Sequence, residues 1–239
     1  MNNTFDILLL LARPAAGKSE IIDHLDNTPL DERIERYHIG NFDVIDDFPM
    51  LWTWFEEDDI LMKMGHPRLH TDKNGFFKWD YLWDVLIERI NLEYKKKTAA
   101  TVDYHHHKTT LIEFARGTEH GGFSKAFDTL DKEILIKSGI LYINVSWQES
   151  QRKNKARYNP DRPYSILEHG LTDEKLRVLY RHVDWDVLTR ENDFYINIKE
   201  VSVPYSVFYN EDDVTTKRGI KLTTRLEESL DRLWNLCPK

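Results

Sequence analysis

Eight residues near the start of the chain, Ala12-Arg13-Pro14-Ala15-Ala16-Gly17-Lys18-Ser19, have the types and the order needed to hold a phosphate chain. Such a site needs several backbone N–H groups converging on an anion at the start of a helix, where the aligned peptide dipoles favour negative charge. Gly17 lets the backbone approach closely, the Lys18 ammonium reaches the outer phosphates, and the Ser19 hydroxyl is placed to ligate Mg2+. The cradle runs from Ala12 through Arg13, Pro14, Ala15 and Ala16, with Pro14 restricting its shape.

That chemistry works only where a strand delivers the loop and a helix leaves it. Phe5–Ala12 is a short continuous apolar run, the pattern of a strand buried on both faces of a parallel sheet. Ser19–Asp26 follows as a helix with Ile21, Ile22 and Leu25 on one face, stopped by Asn27 and Pro29. Further strands are predicted over Arg36–Asp47, Thr109–Phe114 and Ile140–Val145, and two strand-like runs fall within Phe194–Tyr209. Between them, Trp79, Leu82, Trp83, Leu86, Ile90 and Tyr94 recur at helical spacing and are expected in the core. Helices are also predicted over Ser124–Lys137, over Thr172–His182 with Thr172 as cap, and over Leu222–Leu236 with Leu222, Leu226, Leu230 and Leu233 on one stripe. The alternation predicts a three-layer α/β/α fold with a mostly parallel, roughly five-stranded sheet. A single domain over 1–239 is the simplest account, with a helical insertion at about 48–97 and a polar, basic stretch at about 147–164 in which Pro160 and Pro163 mark a loop.

The net charge of -8 argues against a general grip on nucleic acid or an anionic membrane, so a polyanionic ligand must be held by a local basic site. The single cysteine, Cys237, excludes an intramolecular disulfide and a cysteine zinc site, which fits a reducing, cytoplasmic setting. The apolar N-terminal run is shorter than a membrane span, lacks a basic flank and is interrupted by Asp6. The run "DYHHHK" at Asp103–Lys108 reads as a solvated loop rather than a metal site.

"LLLLARPAAGKSE" resembles the first strand, Walker A loop and helix start of P-loop NTPases, and the placement of Pro14 is similar to loops of the nucleotide- and small-molecule-kinase branch, with an adenylate-kinase-like layout. Ala12 stands at a position where that family accepts alanine for the first glycine. "TTLIEFARG" resembles the third strand of nucleoside-monophosphate kinases, which implies that Glu113 holds magnesium-bound water and that Arg116 binds an acceptor or transferring phosphate. "ILYINVSWQESQRKNKARY" resembles their fourth strand and lid helix, which implies phosphate contacts for Arg152 and Arg157, with Lys155 and Arg162 as further cations. Arg152 and Arg157 are offset by about 140° on an ideal helix, so both reach one phosphate group only if the helix bends or ends between them. The alternative for this cluster is a solvated face paired with Glu149 or Asp161.

Asp46 and Asp47 end the second predicted strand at the carboxyl edge, where open α/β sheets place ligands. Asp46 is the candidate for orienting an acceptor hydroxyl, and Asp47 is equally well read as a helix cap before Phe48-Pro49. Val203–Asp213 falls where such kinases carry the last strand and the adenine-contacting loop. The resemblance implies an ATP- and Mg2+-dependent phosphotransferase whose partner is a small-molecule phosphoryl acceptor, such as a nucleoside or nucleotide. The alternatives are a nucleotide-binding regulatory module or sensor and, more remotely, an ATPase acting on a macromolecule.

Overall fold

The structure, a computed structural model, describes residues 3–158, 161 and 171–237. Strand β1 (Ile7–Ala12) is wholly buried and leads through the glycine-lysine loop into helix α1 (Lys18–Asp26). Helix α2 (Leu30–Tyr37) precedes β2 (Phe42–Asp46), and α3 (Phe48–Lys63), α4 (Tyr81–Ala100) and the one-turn α5 (Tyr104–His107) follow before β3 (Thr109–Phe114). A 3-10 turn (Thr118–His120), α6 (Gly122–Thr129) and α7 (Lys132–Ile136) lead to β4 (Ser138–Asn144), which is followed by α8 (Trp147–Arg157). The chain then forms α9 (Asp173–Tyr180), the short α10 (Trp185–Leu188), β5 (Tyr195–Ile198), β6 (Val201–Tyr209), α11 (Val214–Lys217) and α12 (Ile220–Leu236).

The sheet order is β2-β3-β1-β4-β6-β5, parallel throughout except for β5, which runs antiparallel beside β6. Because strand side chains alternate between faces, β1 divides its own leucines between two cores. Ile7, Leu9 and Leu11 pack with α4, α6 and α7 through residues such as Ile90, Phe123 and Leu135. Leu8 and Leu10 pack with α1 and α12 through Ile21, Leu25, Leu226 and Leu230. Each of these fully buried aliphatic side chains stabilises the fold by about 1.5–3 kcal/mol relative to exposure. A third, smaller cluster joins Trp83 and Leu86 of α4 to Leu176 and Tyr180 of α9, well away from the sheet centre.

Several elements depart from the pattern expected of the sequence. Arg36 and Tyr37 close α2 rather than opening a strand, because Pro29 and the acidic first turn, Asp31 and Glu32, start a helix that their register continues. Trp79 precedes α4 and is 55% exposed, whereas Leu82, Trp83, Leu86, Ile90 and Tyr94 are buried as expected. The helix anticipated over Ser124–Lys137 breaks where Leu130 turns extended, giving α6 and α7. The mostly parallel, roughly five-stranded sheet expected has six strands, "YINI" folding back as an antiparallel edge. His105–His107 form a helical turn rather than a loop, with His105 Nε2 2.9 Å from the Tyr94 hydroxyl. No helix among the described residues is long and apolar enough to cross a membrane.

Candidate functional site

Gly17 adopts φ 118°, a conformation that disfavours any side chain, and a Cβ there would lie 2.6 Å from Thr215 Oγ1 and 2.9 Å from Asn210 Nδ2. The loop is held from outside by its carbonyls: Ser150 Oγ donates to Pro14 O at 2.9 Å and Asn210 Nδ2 donates to Ala16 O at 2.8 Å. Among the described residues, no acceptor meets the N–H groups of Ala15, Ala16, Gly17, Lys18 and Ser19, which leaves them for an anion at the start of α1. Ala12 is paired with Ile143 as the last residue of β1, a strand conformation that does not require glycine. The Arg13 side chain turns out of the loop, its guanidinium donating to Arg181 O at 3.2 Å, just beyond α9.

The strand register sets Asp46 of β2 directly beside Glu113 of β3, with Leu10 of β1 on the other side of Glu113. Glu113 is only 6% exposed, and its Oε2 is buried with no hydrogen-bond partner. Burial, opposed chiefly by Lys18, pushes the Glu113 carboxyl up. Burial together with the charges of Glu113 and Asp47 pushes Asp46 up to about 8, against the downward pull of the Phe48 N–H and Lys18. The two carboxyls and the ammonium therefore form one electrostatic unit at the carboxyl edge of the sheet.

Asp47 occupies the N-cap position of α3, but its side chain does not cap the helix; Asp46 Oδ1 accepts the Phe48 N–H at 2.9 Å instead. Asp47 is committed to Arg116, whose Nη1 lies 2.6 Å from Asp47 Oδ2 and 2.8 Å from Ala115 O. The Arg116 guanidinium, 2% exposed, is sandwiched by rings, 5.3 Å from the centre of Trp83 and 5.5 Å from that of Phe114. Removing one partner from such a buried pair typically costs about 3–5 kcal/mol. The Arg116–Asp47 pair braces the wall of the cavity, and it is Asp47, not Glu113, that neutralises Arg116.

Helix α8 runs unbroken through both lid arginines, so they face different ways. Arg157 lines the cavity together with Lys18 and Glu113. Arg152 turns away to Glu149 at 2.6 Å and Asp213 at 2.7 Å, pairs that raise its pKa further, so the two arginines are not brought together. Lys155 pairs with Asp173 on the surface at 2.8 Å, and Arg162 lies outside the described residues. The basic run instead supplies Lys153, a buried lysine bonded to Asp213 Oδ1 at 2.7 Å and Thr215 Oγ1 at 3.0 Å and 3.6 Å from Glu20 of α1. Lys153 ties α8 to the segment after β6 that supports Gly17. Its one signal in the sequence is its place in the basic run, and only the fold shows which side of the helix is buried.

Beyond the carboxylates the cavity opens into a chamber between α3, α4 and α9, about 1340 Å³ in all. Its walls are rich in rings, among them Phe48, Trp52, Phe55, Phe76, Phe77 and Trp83. Asp58 fixes this region: its carboxylate accepts the N–H groups of Leu69, His70 and Thr71 and the Thr71 hydroxyl, at 2.6–3.1 Å. Burial opposes its ionisation, but these bonds prevail and hold Asp58 at about 2. His120 stacks on Trp83 with ring centres 3.9 Å apart, and burial and then Arg116 push it down to about 3, so the imidazole is neutral. Lys175, in the first turn of α9 above the Thr172 cap, also faces the chamber, a position the sequence marks only as a helix start.

No protein-family model matches the chain, and no curated protein matches its sequence. Solved structures do resemble it. Kti12 from Chaetomium thermophilum, crystallised in complex with ADP-AlF3, superposes with a TM-score of 0.55 at 12% identity over 98% of this chain and 100% of that one. TT1252 from Thermus thermophilus gives 0.48 at 12% identity over 99% and 100%, and a sugar kinase from Janibacter sp. gives 0.44 at 11% over 98% and 99%. The chain has a P-loop NTPase-like fold, its glycine-lysine-serine loop running from β1 into α1.

Proposed function

We propose that this protein is an ATP- and Mg2+-dependent phosphotransferase acting on a small molecule. The observation that carries the reading is the single cavity that runs from Lys18 and Ser19, past Asp46 and Glu113, into a ring-lined chamber. Its volume of about 1340 Å³ exceeds the roughly 300–1,000 Å³ of an ordinary one-ligand pocket. There is room for a nucleotide and an acceptor side by side.

In this reading the N–H groups of Ala15 to Ser19 and the Lys18 ammonium bind the phosphates. Ser19 and Glu113 would hold Mg2+: the unpartnered buried Glu113 Oε2 and an oxygen-only donor set suit a hard cation, with Glu113 acting directly or through water. Magnesium supplies charge neutralisation on the phosphate oxygens. Asp46 orients the acceptor hydroxyl and, having released its own proton to solvent, takes the hydroxyl proton as the new O–P bond forms and the bond from the terminal phosphorus to the ADP oxygen breaks. Arg157 faces the transferring group. Arg116 pairs with Asp47 and so offsets part of the negative charge that Asp47 places beside Asp46. The fold of Kti12, crystallised with ADP-AlF3, supports the nucleotide half of the reading.

Lys18→Ala tests it. Titration with a fluorescent ATP analogue in the presence of Mg2+ is expected to show affinity lowered by about 100-fold or more. Unchanged affinity sinks the proposal. Nucleotide binding without transfer to any hydroxylated metabolite, joined to nucleotide-dependent capture of a protein partner, would instead favour a regulatory module.

A further inference from the structure

At the far side of the chamber the Lys175 ammonium stands 5.6 Å from the centre of the Phe55 ring and 5.9 Å from that of Phe76. The turn Asp72–Phe76 closes over it, with Asp72 Oδ1 accepting the N–H groups of Asn74 and Phe76, and a methyl group on Gly75 would overlap the ammonium. Lys175 is half-buried, and no carboxylate among the described residues lies within 4.0 Å of it. The other cations facing the chamber are accounted for: Arg116 is bound to Asp47, Lys18 belongs to the phosphate loop, Arg157 has a partner, and Lys63 is exposed at the end of α3.

An ammonium half withdrawn from water, with only the longer-range charge of Asp72 set against that of Arg68, is held at a cost, which ring faces offset only in part. Its pKa is lowered, with burial as the largest cause. An anionic group on a ligand would remove that cost, and the surrounding rings present faces on which a flat ring can stack. Asp46, the group placed for a hydroxyl, lines the same cavity. Resting on the phosphotransferase reading above, we propose that the acceptor is a ring-bearing organic anion, its anionic group held by Lys175 and its hydroxyl at Asp46.

The site is tested on the full chain with two fluorescent dyes, the anionic anilinonaphthalene sulfonate and the neutral phenylnaphthylamine. Lys175→Met is expected to weaken the anionic dye about tenfold and leave the neutral one unchanged, while Lys175→Arg keeps both near wild type. An unchanged anionic-dye affinity, or equal losses for both dyes, overturns the assignment. In competition, hydroxyphenylacetate or phenyl phosphate is expected to displace the anionic dye, the stronger competitor telling carboxylate from phosphate. Displacement by neutral hydroxyphenylacetamide alone overturns it. If Lys175→Met leaves the dye untouched while Lys18→Ala loses MgATP, the Lys175 site falls and the phosphotransferase reading stands. If Lys175→Met weakens the dye while the wild-type chain binds no MgATP, the anion site stands and the phosphotransferase reading falls.

Discussion

At the phosphate end of the cavity the ligand-facing groups are mostly backbone, delivered by β1 and fixed by hydrogen bonds to loop carbonyls from Ser150 and Asn210. In the chamber at its other end they are side chains, mostly rings, carried by α3, the 64–80 connection, α4 and α9 and organised around one buried carboxylate, Asp58. Backbone groups recognise what all phosphates share, and their geometry tolerates few residues. Side chains recognise what distinguishes one acceptor from another, and each can change without disturbing the loop. The division predicts that damage at one end stays at that end.

The largest effect is expected from Gly17→Ala, which places a Cβ against Thr215 and Asn210 at a φ that alanine adopts only under strain. Nucleotide affinity should fall about 100-fold by calorimetric titration, with dye binding in the chamber unchanged. A loss at both ends would break the contrast. Asp58→Asn attacks the other end by leaving donors of residues 69–71 unmatched. Chemical denaturation should show a loss of about 3 kcal/mol, with nucleotide affinity held within about twofold. The smallest effect sharpens the boundary between the ends, where Asp46 sits. Its folded carboxyl, near 8, lies above the unfolded value of about 3.9, so the folded chain keeps a proton that the unfolded chain has released. Stability from this group is full below about pH 4 and is lost as pH rises through 8. Asp46→Asn should therefore melt above wild type at about pH 9, by an equivalent of about 1 kcal/mol or more, and the gap should close only by about pH 4.

The same division decides what could be read in the sequence. The Phe5–Ala12 run, the loop and the first helix depend on contiguous residues and fold as their pattern says. Thr109–Phe114 matches β3 residue for residue, and the Leu222, Leu226, Leu230 stripe lies buried on α12. Arg152 illustrates the opposite case. Its residue type suited a phosphate, but its direction depends on the side of α8 that meets Asp213, a residue 61 positions away. Lys175 was legible only as part of a capped helix start, because the rings that give it meaning, Phe55 and Phe76, arrive from α3 and from the turn before α4. Arg116 follows the end of β3, and the partner that neutralises it, Asp47, lies 69 positions away, out of reach of the local pattern in "EFARG".

The hydrogen bond from Asn210 to the Ala16 carbonyl spans 194 positions of sequence. During synthesis β1 emerges long before β3 and β4, its two neighbours in the sheet, and the loop after it waits longer still for its last support. On the proposed phosphate-binding role, competence would thus be a late event in assembly, arriving only when the region around Asn210 and Thr215 has docked on Gly17. Nucleotide binding by a refolding or ribosome-bound chain would serve as a clock for the completion of this fold.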